Sequence, residues 1–72
     1  MAEIKHYDVV ALTEDLPEEH LRRGQVGTVI EIYAPDAFEV EFSDRSTGIT
    51  YATCVLRADQ LMVLHYSPPE PD

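Results

Sequence analysis

Residues 38–42 read Phe-Glu-Val-Glu-Phe, an unbroken alternation of apolar and acidic side chains. A period of two sends successive side chains to opposite faces of a strand, so this segment predicts a strand with one buried and one wetted face. Upstream, Thr28-Val29-Ile30-Glu31-Ile32-Tyr33 is β-branched and apolar, and Ala34-Pro35-Asp36-Ala37 reads as the turn between the two. A three-residue loop, either Ala34–Asp36 or Pro35–Ala37, places Ile30 and Ile32 on the face of Phe38, Val40 and Phe42. Ile32 then meets Phe38 in the first choice and Val40 in the second, and a slip by one residue would drive a glutamate into the core. On the outer face Glu31 is expected to lie opposite Glu39 or Glu41, a like-charge contact that costs stability.

The remaining segments are as short as the first two. Tyr7–Leu12 predicts a strand, ended by Pro17, which cannot donate to a continuing ladder. Leu16–Gly24 reads as a long loop containing one helical turn, with Pro17 near its start, Gly24 at its end, and Leu16 and Leu21 as apolar anchors. Gly24 and Gly27 bracket a valine, Val26, expected to be buried, and permit a positive φ or a bulge on either side of it. After the polar cluster Ser43–Gly48, Ile49–Leu56 predicts a fourth strand with Ala52, Cys54 and Leu56 inward. Arg57–Leu61 has the length of one tight turn, and Met62–Tyr66 makes a short fifth strand. With 72 residues the chain holds one domain and buries roughly 60% of its unfolded surface. Residues 1–66 are expected to form that domain and residues 67–72 a Pro-rich tail, extended or disordered. The expected fold is all-β: a small five-stranded SH3-like barrel with one short helical turn before the last strand.

Charge narrows function. Fourteen acidic residues against five basic ones leave a net charge of −9, spread from Glu3 to Asp72. A polyanion of phosphates repels such a body, and Arg22-Arg23 beside Glu18 and Glu19 gives no basic groove, so nucleic acid is not expected as a partner. No apolar run approaches the length of a membrane span, and the first residues carry no signal-peptide pattern. One cysteine, Cys54, rules out an internal disulfide and points to the cytoplasm, with Cys54 as a small core residue. His6, His20 and His65 lack the spacing of a metal site and read as surface residues; no cofactor or metal is expected. Neither a phosphate loop nor a nucleophile with its base is present, and a barrel this small leaves no room for a pocket beside its own core, so no catalysis is expected.

The blocks Tyr7-Asp8-Val9-Val10-Ala11-Leu12, Leu16-Pro17, Gly24-Gln25-Val26-Gly27-Thr28-Val29, Phe38–Phe42 and Ala58-Asp59-Gln60-Leu61 stand in an order that resembles a family of small bacterial and cyanobacterial proteins, domain of unknown function 4926. The resemblance spans most of residues 7 to 64. It implies an SH3-like barrel and brings no catalytic residue with it. In barrels of that kind, ligands are engaged by the long first loop, the second hairpin and the one-turn helix. The resemblance therefore implies Glu14, Asp15, Glu18, Glu19, Tyr33, Tyr51 and Tyr66 as partner-binding candidates.

The facing acids Glu31, Glu39 and Glu41 complete that set, because a basic partner would relieve their repulsion. The expected function is a non-catalytic acidic module that binds a basic protein, of the antitoxin, immunity or nucleic-acid-mimic type. A structural accessory subunit or homo-oligomer is the alternative, and an RNA-binding module of the KOW type ranks below both.

Overall fold

The computed structural model describes residues 3–69. Its order is β1 (Val9–Leu12), a 3₁₀ turn (Pro17–Glu19), β2 (Val26–Ala34), β3 (Ala37–Ser43), β4 (Thr50–Leu56), a second 3₁₀ turn (Ala58–Gln60) and β5 (Leu61–Val63). The five strands form one antiparallel sheet in the order β4-β3-β2-β1-β5, so β4 and β5 are its edges. The all-β expectation holds.

Strand limits follow from local chemistry. β1 starts at Val9 instead of Tyr7, because Tyr7 adopts a positive φ of 68° inside a turn. That turn is closed by Asp8, whose Oδ2 accepts the Lys5 N–H and whose own N–H donates to the Lys5 carbonyl. In the long loop Pro17 opens the 3₁₀ turn, His20 ends it in the left-handed region, and Leu16 and Leu21 bond to each other across it. β5 stops at Val63, three residues short of Tyr66, although the Leu64 N–H still reaches the Val9 carbonyl. Beyond it, residues 64–69 carry no regular structure, and residues 70–72 of the expected tail lie outside the described residues.

The core gathers Val10, Leu12, Leu21, Val29, Phe38, Val40, Phe42, Cys54, Leu56 and Leu61, with Ile4, Leu16, Ile32, Ala52 and Val63 packed on its margin. The inward set on β4 is as expected, and Leu21 seals the core from the loop. In β2 the expectation needs correction. Ile32 lies opposite Phe38 and Glu31 opposite Glu39, but the pairing then shifts so that Val29, not Ile30, meets Val40. Ile30 is the extra residue of a β-bulge, and Tyr33 is the extra residue of a second one before the two-residue turn Pro35-Asp36.

Each bulge changes the parity of the strand. Even-numbered positions face the core at Ile32, whereas odd-numbered ones do so at Gly27 and Val29. Val26, expected inside, is therefore 47% exposed on the outer face. Gly27 is buried, and a Cβ there would lie 2.7 Å from Val40 Cγ1 and 2.9 Å from the Glu41 carbonyl oxygen. Its value is close approach between β2 and β3, not a positive φ, which belongs to Gly24 at 90°.

Candidate functional site

The sequence candidates divide between two regions. Glu14, Asp15, Glu18 and Glu19 lie in the β1–β2 loop, whereas Glu31, Tyr33, Glu39 and Glu41 lie on the outer face of β2 and β3. In the loop, carboxylates brace the backbone. Asp15 accepts the Arg23 N–H at 2.8 Å and Glu14 accepts from the Gln60 side chain at 3.2 Å, tying the loop to the turn before β5. Glu19 sits 3.5 Å from the Cys54 sulfur; burial chiefly, and the adjoining carboxylate next, push that thiol above its usual range. Tyr51 belongs with this group. It is the extra residue where β3 and β4 shift register, its ring leans on Phe42, and its hydroxyl accepts from Gln25 Nε2 at 3.0 Å. Arg22 and Arg23 are exposed in the same loop.

On the sheet face the Glu31–Glu39 repulsion is met from within the chain. His6 Nε2 lies 3.1 Å from Glu31 Oε1, brought there by the turn that also joins the Tyr7 N–H to the Val29 carbonyl. The His6 hydrogen bond and the Ile32 N–H hold the Glu31 carboxyl below its ordinary range. Glu39 accepts a hydrogen bond from the Tyr33 hydroxyl, which raises the Tyr33 phenol above its usual value. Both members of this pair therefore have partners within the chain, Glu31 in His6 and Glu39 in Tyr33. Sequence reasoning read His6 as an ordinary surface histidine, since nothing in the primary structure signals a contact across twenty-five residues.

Glu41 differs from these acids. It lies opposite Thr28 on β2 and Thr53 on β4, and among the described residues its carboxylate accepts no hydrogen bond and joins no ion pair. It lines an open groove of about 570 Å³ together with Val26, Thr28, Ser43, Arg45, Leu64 and Tyr66. Sequence reasoning expected no room for a pocket; this groove is on the surface, built between the outer face of the sheet and the segment that leaves β5. Glu41 and Tyr66 are the two sequence candidates it brings together. Val26, Thr28, Ser43, Arg45 and Leu64 were missed, because the bulge at Ile30 decides that Val26 and Thr28 face outward. No three of the described His, Cys, Asp and Glu residues gather as a metal site would require.

The chain belongs to the family described as Domain of unknown function (DUF4926), whose model matches residues 6–63. The matched span takes in all five strands and stops before Leu64 and Tyr66. No curated protein and no solved structure matches the chain.

Proposed function

We propose that this protein is a non-catalytic interaction module that binds a basic protein segment in the groove around Glu41. The observation that carries the reading is the contrast among the acids. Asp8, Glu14, Asp15, Glu31, Asp36, Glu39, Asp44 and Asp59 all accept hydrogen bonds from their own chain, whereas among the described residues Glu3, Glu18 and Glu41 accept none, and of these three it is Glu41 that lines the groove beside apolar surface. A lysine or arginine side chain suits that surface: its aliphatic stem covers Val26 and Leu64, its charged head meets Glu41, and the exposed Tyr66 ring offers a cation–π face. The net charge of −9 speeds the encounter with such a partner.

The strand order, the long β1–β2 loop and the single 3₁₀ turn before β5 support an SH3-like arrangement, and the lone buried Cys54 suits the reducing cytoplasm. A role as antitoxin, immunity protein or nucleic-acid mimic fits the same chemistry. The test is capture of partners from the source cell's lysate on the tagged protein and on its Glu41→Lys variant, with washes at low and high salt. A basic protein that leaves with salt and fails to bind the variant is the expected result. Equal capture by both proteins would place binding elsewhere.

A further inference from the structure

The two edges of the sheet are unequal. β5 offers three residues and β4 offers seven. A short edge is a poor template for another strand, whereas a long one is normally guarded by lysine, proline or an inward charge. Thr50-Tyr51-Ala52-Thr53-Cys54-Val55-Leu56 contains no charged residue, proline or glycine. Its one irregularity lies at Tyr51, and among the described residues no backbone hydrogen bond reaches it except from β3. Tyr51 and Val55 are 50% and 60% exposed, and Thr53 between them is exposed as well.

We infer that a second copy of this chain pairs along β4, antiparallel, about a two-fold axis through Thr53. Thr53 is the middle residue of β4, and the sequence around it is self-complementary. On the outer face the axis sets Thr53 against the partner's Thr53, with the exposed Val55 beside it. Threonine pairs are favourable across strands. On the core side Ala52 meets the partner's Cys54, two small side chains that let the backbones close.

Charge selects this occupant over a basic protein. Arg45–Ala58 is the longest stretch of the chain without an acidic residue, so a basic segment finds no carboxylate from β4 itself and one, Glu19 of the β1–β2 loop, beside the Cys54 sulfur on the core side. Two copies of a −9 body, in contrast, meet here with the acids of their outer faces held apart. On the outer face the facing carboxylates, Glu41 of each copy, are three strand spacings apart, about 14 Å, which exceeds the roughly 8 Å screening length at physiological salt, while Glu19 beside Cys54 adds a repulsion on the core side that salt screens. Added salt therefore strengthens this contact, the opposite of its effect on a basic partner, so the two readings fail separately.

The test is sedimentation equilibrium of the full chain up to millimolar concentration at low and high salt. A mass rising towards a dimer, more readily at high salt, is expected, and Thr53→Lys should return it to the monomer while leaving the far-ultraviolet dichroism unchanged. A Cys54→Ala background then tests the register. Cα atoms of directly opposed residues lie about 4.5–5.5 Å apart, within disulfide range, so Thr53→Cys should cross-link on oxidation and Val55→Cys should not. A monomer mass throughout would overturn the proposal. So would a dimer that survives Thr53→Lys, or one that cross-links through residue 55.

Discussion

Gly27 shows how much one missing carbon can matter. Its close approach to Val40, Phe42 and the Glu41 backbone leaves no space for a methyl group, since one of the atoms in the way is a main-chain carbonyl that cannot swing aside. Gly27→Ala is expected to destabilise the protein by about 1–3 kcal/mol, the usual range for overpacking, as read from the urea midpoint. Gly24→Ala meets no atom within 4 Å and suffers only the left-handed backbone, so its loss should be the smaller. If the order of the two were reversed, the packing of β2 on β3 described above would be wrong. Titration gives a second test at this scale. Glu31 and Asp44 both have depressed folded-state values, Glu31 through His6 and then the Ile32 N–H, Asp44 through the N–H groups of Thr47 and Ser46. A depressed carboxyl contributes stability that is present above its unfolded value and lost as pH falls through the folded one. Both contributions should thus vanish below the ordinary carboxylate range, and His6→Ala should move the Glu31 midpoint upward in a carboxyl-carbon NMR titration while leaving Asp44 in place. An unmoved Glu31 would mean that His6 is not its principal partner in solution.

At the scale of elements, the β2–β3 hairpin carries a like-charge contact and its remedy together. Removing Glu31 also removes the His6 hydrogen bond, so Glu31→Thr should change the thermal midpoint little in the natural chain. In a His6→Ala background the Ile32 N–H alone offsets the Glu31–Glu39 repulsion, and the same substitution should then be more favourable than in the natural chain. This double-mutant cycle isolates the His6–Glu31 coupling, and additive effects would show that no such coupling exists. The hairpin also shows what the primary structure discloses and what it hides. Strict alternation in residues 38–42 was sufficient to place β3 and to set Glu31 against another glutamate, and the inward trio Ala52, Cys54 and Leu56 followed from the same period. The bulge at Ile30 was hidden because Val26, Val29, Ile30 and Ile32 are all apolar and β-branched, so either parity satisfies a core. Gly27 was the available hint: only a position pressed between two strands needs a glycine there without a positive φ. The groove depended on that hidden parity, and its other wall, Leu64 and Tyr66, depended on β5 ending at Val63, which short apolar runs do not mark.

For the whole molecule the governing quantity is charge against size. The chain measures 41 × 30 × 20 Å and carries −9. At 0.01 M salt the screening length is about 30 Å, so nearly every carboxylate repels every other; at 0.15 M it is about 8 Å and only neighbours remain coupled. The Arg57–Asp59 ion pair and the His6–Glu31 contact, ionic only when His6 is protonated, are both exposed, and screening weakens them too. Local attraction and global repulsion thus respond to salt in opposite directions. Fourteen acids against five bases make repulsion the larger sum, and it is greater in the compact state than in the unfolded chain, where the charges lie farther apart. The thermal midpoint is therefore expected to rise from low to physiological salt and then level off as the screening length drops below the spacing between unpaired acids. A domain of this size gains roughly 4–8 °C per kcal/mol, so even a modest relief of repulsion is measurable by calorimetry. Because self-association through β4 would also raise the midpoint with salt, the scan belongs on the monomeric Thr53→Lys variant, at more than one protein concentration. A midpoint that falls with salt in that variant would show that the exposed pairs, and not the net charge, govern the stability of the fold.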